Sequence, residues 1–540
     1  MNALEAASLV MIPSGYEDGT LGSLKPIDGS GDFTFTRGTD IGATRVAPDG
    51  YIEKGYENLL LQSNQFDTTW TKSSSITLTS GQSGYDGTSD AWLLESDGSA
   101  GVDSVFQSVS YSGVNTCSIY AKAGTNSIFL LRVAGLDARA TFDLSTISVS
   151  TNSQAIDASI EQVGTTDWYR CSMCFNGTAN LVLVYPNDLS APIVGSIYIQ
   201  DAMLNQGLAA MPYLPTTTTT SVGGVLANQP RIDFTGGGCG SLLLEPSRSN
   251  LLPYSEYINN SVGTWSSFYD TTITNNDAVS PDGTNNATRI TNSGSSARLD
   301  AIVSGLAIGT YTYSFYAKGD VTTLSVNVYQ ESGGVTLSST PIQTLINGSK
   351  WKRVEITFTT TVASNIRFIH GGPAASESYL IWGAQCEQGS YATSYIPTYG
   401  TSVTRAMDSA TASVTNTTSR TYFVDGKRLA DESSGDSNPI YKPDDAFGIA
   451  YWNANRLRIR FGNSISLYYT LTENNFKIAV SYNGTDSKIF VNGVYFATQN
   501  YDLGNLTEIN INGRLSALYN QTLLFPTALS DAELAELTTI

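Results

Sequence analysis

Charged residues are scarce in this sequence, and histidine is almost absent. Only 14% of the 540 residues are Asp, Glu, Lys or Arg, and His370 is the single histidine. The 48 acidic residues outnumber the 29 basic ones, and the net charge of −19 counts against a nucleic-acid-binding protein, which would present a basic surface. One histidine excludes most histidine-based metal sites and leaves a single candidate base for a Ser-His-Asp triad.

Cysteines and long apolar runs are also in short supply. The cysteines are too few and too scattered to predict a disulfide framework: Cys117, Cys171, Cys174, Cys239 and Cys386. No run approaches the roughly 18 apolar residues that a membrane-spanning helix needs. Because residues 1–12 have no basic stretch before their apolar residues, we expect no secretory signal, no membrane insertion, and synthesis in a reducing cytoplasm.

Glycine, tyrosine and β-branched residues are abundant instead. The chain has 49 Gly and 30 Tyr, and short runs such as residues 117–122, 181–185 and 196–199 are rich in strand-favouring side chains. Apolar and polar residues alternate over residues 354–361, as on a strand with one buried face. We therefore predict an all-β, multidomain protein built from antiparallel β-sandwiches.

The sequence contains an internal repeat with an offset of roughly 190 residues. The matching segments, in the same order in both copies, are Asn58-Leu59-Leu60 with Asn250-Leu251-Leu252, Trp70 with Trp265, Asp86-Gly87-Thr88 with Asp282-Gly283-Thr284, Tyr120-Ala121-Lys122 with Tyr316-Ala317-Lys318, Trp168 with Trp351, and Tyr213-Leu214-Pro215 with Tyr395-Ile396-Pro397. This spacing is far too long for a solenoid repeat, so each copy is predicted to be a whole jelly-roll domain.

We divide the chain into five parts on this basis. They are an N-terminal segment at 1–57, a first jelly roll at 58–222, a connector at 223–248, a second jelly roll at 249–408 and a C-terminal unit at 409–540. The last part contains Asn-Gly pairs such as Asn492-Gly493, the strongest short signal for a β-hairpin. Near its end Ser530 and Glu533 have the spacing of a helix capping box, and Leu529 and Leu534 that of a hydrophobic staple.

Three groups of motifs lie near the borders of these parts. They are Gly31-Asp32-Phe33-Thr34-Phe35-Thr36-Arg37 with Ala43-Thr44-Arg45-Val46, Pro230-Arg231-Ile232-Asp233 with Leu244-Glu245-Pro246, and Tyr395-Ile396-Pro397-Thr398 with Thr404-Arg405. Together they resemble bacteriophage virion proteins, including those of crAss-like and marine Bacteroidetes phages. In that group the repeats are similar to carbohydrate-binding-module jelly rolls, and the C-terminal unit resembles concanavalin-like or laminin-G-like domains.

The resemblance implies a tail or head fibre or spike component on the virion exterior, made in the host cytoplasm. It implies contact with other virion proteins through residues 1–57, a homotrimer, and sandwiches that bind host surface glycans with avidity from copy number. Two alternatives stay open. One is a purely structural capsid decoration or collar protein, because a fold does not determine a function. The other is a polysaccharide depolymerase.

Aromatic rings are the first candidates for ligand-binding groups, because a ring face can pack on the C–H groups of a sugar. Rings at matching positions in both copies are expected to form a shared core. The candidates are therefore rings found in one copy only, or in the C-terminal unit: Trp92, Tyr329, Trp382, Tyr451 and Trp452.

Polar side chains supply two further candidate sites. Alternating arginines on a predicted strand face one side, towards an acidic glycan, an acidic subunit or solvent: Arg456, Arg458 and Arg460. Oxygen-rich loops suggest calcium as the one cofactor to consider, with the ligands Asp431, Asp436, Asp444 and Asp445. No other cofactor is expected.

Catalytic patterns are weak. Cys171 and Cys174 have zinc-like spacing but no second pair, and residues three apart on a strand face opposite sides. His370 precedes Gly371-Gly372, so we expect it in a surface loop, and no G-x-S-x-G elbow accompanies it. Glycoside hydrolysis needs a carboxylate pair, and no spacing singles one out. The sequence predicts a protein that is not an enzyme.

Overall fold

The computed structural model describes residues 2–38, 42–99, 103–188, 194–415, 418–429, 447–453, 456–462, 465–513 and 516–540, without the side chains of residues 450–453. Strands make up 55% of the chain and helices 4%, which confirms the predicted all-β, multidomain class. None of the described helices is long and apolar enough to cross a membrane.

The first jelly roll consists of two antiparallel sheets, each with six strands in the described residues. In order across the first sheet, the strands are Ala155–Gln162, Trp168–Asn176, Val114–Ala123, Gly195–Gln206, Ala91–Ser96 and Ile76–Gln82. In order across the second sheet, they are Ser148–Thr151, Ala138–Asp143, Ile128–Ala134, Ala179–Tyr185, Val105–Tyr111 and Thr71–Lys72. Inward-facing side chains such as Ile119, Phe142 and Val184 form the core between the sheets.

The second jelly roll keeps this strand order, but two long strands each replace a pair of shorter ones, and its described strands include no counterparts of Ser148–Thr151 and Ala155–Gln162. Its strands are Trp265–Ala278, Ala287–Leu306, Gly309–Lys318, Ser325–Gln330, Val335–Pro341, Lys352–Thr360, Ser364–Gly371 and Ser378–Gln388, with short helices at Asn260–Val262 and Gln343–Ile346. Strand Ala287–Leu306 pairs first with Ser378–Gln388 and then with Ser364–Gly371. It therefore crosses from one layer of the sandwich to the other.

A buried asparagine explains the first motif of the repeat. Asn58 and Asn250 are both 0% exposed, and each side chain uses its donor and its acceptor twice. The side-chain amide of Asn58 donates to the carbonyls of Ala202 and Leu214 and accepts from the backbone N–H groups of Leu60 and Leu204. In the same way, the side-chain amide of Asn250 donates to the carbonyls of Ala384 and Ile396 and accepts from the backbone N–H groups of Leu252 and Cys386. The motif is therefore structural in both copies, since a buried amide must be fully bonded.

Most of the remaining strands form one sandwich from three separate stretches of chain, which we call the composite sandwich. One sheet contains Arg231–Asp233, Ser241–Leu244, Ala517–Phe525, Arg420–Arg428, Asn475–Tyr482, Asp486–Val491 and Val494–Asn500, with Leu9–Met11 beside Ala517–Phe525. The facing sheets contain Tyr16–Glu17, Thr20–Leu21, Phe33–Thr36, Ser409–Ser413 and Glu508–Asn512, and Phe447–Asn453, Arg456–Phe461 and Ile465–Thr470. Short paired strands lie at the junctions: Thr44–Val46 with Ile52–Lys54, Tyr56–Asn58 with Ser221–Gly223, and Arg248–Asn250 with Val403–Arg405.

This arrangement differs from the separate N-terminal segment and connector that the sequence predicts. Leu9 lies opposite Leu524, and Phe33 and Leu242 share one core with Ile478. Residues 9–36 and 231–244 therefore contribute strands to the C-terminal sandwich. The first jelly roll is inserted between these two stretches, and the second between residue 244 and residue 409. The helix Asp531–Thr538 packs at the end of this sandwich, and its predicted capping box is confirmed.

Buried ion pairs join the parts of the composite sandwich to the end of the second jelly roll. Asp408 pairs with Arg37 at 3.2 Å and with Arg231, and Glu245 pairs with Arg231 at 2.8 Å and with Arg405 at 3.0 Å. Burial alone would raise the pKa of Glu245, but Arg405 and Arg231 outweigh it and lower that pKa to about 2. Arg37, Arg231, Glu245 and Arg405 belong to the three groups of motifs near the borders of the parts, so those motifs hold the junction together.

Candidate functional site

One outer sheet face of the second jelly roll carries charged and aromatic side chains that are partly exposed to solvent. Side chains alternate along strand Ser364–Gly371, so that Ile366 and Phe368 point into the core while Arg367 points outward. Neighbouring strands contribute further outward groups to the same layer. We call this surface the Tyr269 face, and it consists of Phe268, Tyr269, Arg298, Asp300, Tyr329, Glu331 and Arg367.

A chain of ion pairs crosses the Tyr269 face. Arg298 donates to Asp300 from Nε at 2.7 Å and from Nη2 at 2.6 Å. Arg367 donates to Asp300 at 3.2 Å and to Glu331 at 2.5 Å. The hydrogen bond from Arg367 lowers the pKa of Glu331, so this carboxylate stays ionised. The side chains of Arg298 and Arg367 remain 32% and 27% exposed, which leaves donor groups facing solvent.

Tyr269 stands at the edge of this face in an unusual backbone conformation. Its φ is +59°, in the left-handed region that aromatic residues rarely adopt, and the strand register shifts between Tyr269 and Thr271. Such a bulge turns a side chain out of its normal direction. The Tyr269 side chain is 75% exposed, and the neighbouring Phe268 is 38% exposed with the Arg298 guanidinium 5.1 Å from its ring centroid.

The candidate rings predicted from the sequence differ in their exposure to solvent. Tyr329 lies half-buried on the Tyr269 face, directly across from Arg367. Trp92 is only 5% exposed and donates from its indole to the Asn64 carbonyl, and Trp382 is fully buried against Tyr395. The prediction that Trp92 and Trp382 bind a ligand is therefore wrong, because both rings are buried and pack against neighbouring side chains.

The equivalent face of the first jelly roll has an apolar cluster at the position of the Asp300 ion pairs. Phe106 occupies the place of Asp300, since Phe106 pairs with Leu183 as Asp300 pairs with Ile369. It lies in a cluster with Leu183 and Tyr185, which are 6% and 0% exposed. The sequence reasoning missed Tyr269, Arg298, Asp300 and Arg367; the signal was the exchange of apolar residues for charged ones between the two copies.

The predicted arginine row is present on the three-stranded sheet. Arg456, Arg458 and Arg460 alternate with buried residues and share one face, with Arg456 4.7 Å from the Tyr468 ring centroid and Arg458 bonded to Ser466 at 2.9 Å. Tyr451 and Trp452 lie in the adjacent strand Phe447–Asn453, but their side chains are outside the description. A binding role for these residues stays a prediction.

The calcium candidates fall outside the described residues. They are Asp431, Asp436, Asp444 and Asp445. Within the part of the chain that the structure describes, no group of three or more His, Cys, Asp or Glu could hold a metal ion. Cys171 lies in the core of the first jelly roll and Cys174 in a separate cluster at the junction with the second, so the two thiols face opposite sides of their strand.

The prediction that His370 lies in a surface loop is wrong. His370 belongs to strand Ser364–Gly371 and is 1% exposed. Its Nε2 is 2.9 Å from the hydroxyl of Tyr313, and burial lowers its pKa to about 3. The ring is therefore neutral at ordinary pH and part of the aromatic core, away from any substrate.

No family model matches the chain, and no curated protein matches it. Solved structures with similar β-sandwiches include the tandem CBM22-1–CBM22-2 domains of Paenibacillus barcinonensis Xyn10C, with 11% identity over 65% of this chain and 100% of that one and a TM-score of 0.23. They also include the tandem CBM51 modules of Streptococcus pneumoniae Sp3GH98, with 10% identity over 69% and 97% and a TM-score of 0.16.

A third match is the enzymatically active domain of tailspike protein 4 of bacteriophage CBA120, with 12% identity and a TM-score of 0.21. It covers 25% of this chain, which spans only 21% of that structure.

Proposed function

We propose that this chain is a fibre or spike component of a bacteriophage particle and binds host surface saccharides through the Tyr269 face. The observation behind this proposal is Tyr269, a ring that is 75% exposed at a bulge with positive φ. Strained backbone at an exposed residue is a feature of functional sites. The repeat supplies the contrast, because the first copy has the apolar residues Phe106 and Leu183 where the second has Asp300 and its ion pairs.

The chemistry of the face suits a saccharide. Tyr269, Phe268 and Tyr329 provide rings that can pack on sugar C–H groups, and the ion pairs between them hold donors and acceptors at fixed positions. A sugar hydroxyl can donate to a carboxylate and accept from a guanidinium at the same time. Preorganised groups of this kind lose little side-chain entropy on binding.

The particle context follows from the motifs and not from the face. Their resemblance to phage virion proteins supports a place on the virion exterior, attachment to other virion proteins through the N-terminal residues, and a homotrimer. Weak binding at each Tyr269 face would then be multiplied by the number of copies. A non-enzymatic role is proposed, since the one histidine is in the core and no spacing in the sequence singles out a carboxylate pair for glycoside hydrolysis.

A second candidate function is packing against an acidic subunit of the same particle. It is favoured by the one-sided row of Arg456, Arg458 and Arg460 on a chain whose net charge is −19. Guanidinium groups pair well with carboxylates across an interface.

The proposal is tested by glycan-array and host-cell binding of the full-length protein and its Tyr269→Ala variant. We expect Tyr269→Ala to weaken saccharide binding about tenfold or more, because an aromatic ring that packs on the ligand contributes strongly to an interface. Tyr495→Ala is the matched control, since Tyr495 is 51% exposed on the composite sandwich. Equal binding by the two variants, or no glycan bound by the assembled protein, would refute the proposal.

A further inference from the structure

A groove runs along the junction between the two jelly rolls, and it shares no lining residue with the Tyr269 face. It consists of cavities of about 340 and 600 Å³ on either side of the turn Asp282-Gly283-Thr284, and Gly283 and Thr284 line both. These volumes are in the range of small-molecule sites, about 300–1,000 Å³. We infer that this interdomain groove is a second saccharide site, which takes a neutral oligosaccharide.

Both jelly rolls supply polar groups to the smaller cavity. Asp157, Glu161 and Arg170 come from adjacent strands of the first jelly roll, and Asn276 and Asn285 from the second. The amide of Asn276 donates to Asp157 at 2.9 Å, and the amide of Asn285 donates to the Asn276 carbonyl at 2.8 Å. The first bond joins the two jelly rolls across the cavity, so the Asp157 carboxylate and the amides of Asn276 and Asn285 are held in place before any ligand arrives. The Arg170 guanidinium is held by its bonds to Ser118 and Met211.

The larger cavity adds an aromatic wall. Tyr51, which is 46% exposed, lies against the turn so closely that a Cβ on Gly283 would be 3.2 Å from its ring. Behind the turn, the buried Lys54 pairs with Asp282 at 2.7 Å and with Glu256 at 3.0 Å. The Lys54–Asp282 pair fixes the turn to strand Ile52–Lys54, and so fixes the distance from Tyr51 to the smaller cavity.

The charges of the groove select the ligand class. Apart from the Lys54–Asp282 pair, its lining has the carboxylates of Asp49, Glu53, Asp157 and Glu161 and the guanidinium groups of Arg45 and Arg170. An acidic glycan would meet a surplus of negative charge and would be repelled. A neutral saccharide can bond to both kinds of group through its hydroxyls while one ring packs on Tyr51.

The test uses the full-length Tyr269→Ala variant, so that binding by the Tyr269 face is weakened at the outset. Neutral gluco-, manno- and xylo-oligosaccharides and an anionic oligogalacturonate are titrated by calorimetry. We expect a neutral oligosaccharide to bind, to bind about tenfold more weakly when Tyr51→Ala is added, and about fivefold more weakly with Asn285→Ala. Tyr495→Ala and Asn180→Ala are controls of the same chemistry on other surfaces, and we expect no change from them.

The outcomes separate the two sites. Neutral-sugar binding that survives Tyr269→Ala and falls with Tyr51→Ala supports the groove, even if the Tyr269 face fails its own test. Binding that disappears with Tyr269→Ala overturns the groove and supports the face. Tighter binding of oligogalacturonate than of any neutral sugar overturns the groove as well. Slower amide exchange in residues 276–285 on addition of the sugar is the expected sign that both jelly rolls hold it.

Discussion

Asp201 is a buried carboxylate whose ionisation opposes folding. It is 7% exposed, its φ is +54°, and burial raises its pKa to about 6, with Asp90 and Asp86 adding to the effect. Because the folded pKa lies above the usual 3.8, the folded protein holds this proton more tightly than the unfolded chain. The stability gained at low pH is therefore lost as the pH rises from about 4 through 6.

The substitution Asp201→Asn should remove the loss of stability that occurs as the pH rises through 6. Asn keeps an acceptor for the Tyr85 hydroxyl, which now donates to Asp201 at 2.8 Å, and tolerates positive φ well. We expect the free energy of unfolding to rise by about 1–3 kcal/mol near pH 7 and to be unchanged near pH 4. Urea titrations at the two pH values measure this, and an equal effect at both would show that the charge is not the cause.

The ion pairs at Asp408 give a second prediction at this scale. Asp408→Ala would leave Arg37 and Arg231 without this carboxylate in a site where all three side chains are 0% exposed. We expect a loss of about 3–5 kcal/mol in urea unfolding of the composite sandwich. The comparison is Lys488→Ala, which breaks an exposed pair with Asp531 and should cost less than about 1 kcal/mol. Similar losses for both would contradict the assignment.

Single residues also show where sequence reasoning stops. An aromatic ring in one copy only is visible in the sequence, but its exposure depends on which strands lie beside it. Trp382 is covered by Tyr395, thirteen positions further along the chain, whereas Tyr329 is left half-open beside Arg367. Tyr269 is exposed because the strand bulges between Tyr269 and Thr271. The residues around this bulge contain no glycine or proline that would predict it.

Turns and helix ends that are determined by residues close in sequence were predictable. Asn492 and Gly493 both have positive φ, at +51° and +78°, and join strands Asp486–Val491 and Val494–Asn500 in the hairpin that Asn-Gly predicts. Ser530 caps its helix through bonds to residues within one turn. His370 shows the opposite case: the glycines after it suggest a loop, but strand Ser364–Gly371 is formed by pairing with residues 298–306 and 325–330.

At the scale of the whole molecule, the duplication was predictable and the composite sandwich was not. A repeat is written in the sequence, whereas the pairing of Leu9 with Leu524 joins residues at opposite ends of the chain. Short strands such as Leu9–Met11 also lack a strong pattern of their own, and their partners decide their state.

The composite sandwich predicts how fragments behave. Residues 409–540 alone lack the strands at 9–36 and 231–244 and would expose core residues such as Ile478, so we expect this fragment to be unfolded or aggregated. Residues 58–222 contain both sheets of the first jelly roll and should fold alone. Circular dichroism and NMR dispersion of the two fragments decide this, and a natively folded 409–540 would contradict the shared core.

The same interleaving sets the order in which the protein can fold during its synthesis. Strand Phe33–Thr36 leaves the ribosome early, but strand Ala517–Phe525 completes its sandwich roughly 490 residues later. At about 5–20 residues per second, that delay is roughly half a minute or more. The first jelly roll can fold in the meantime, with the unpaired apolar strands of residues 9–36 still attached to it. Translation speed, through this waiting time, therefore governs how long those strands are open to aggregation.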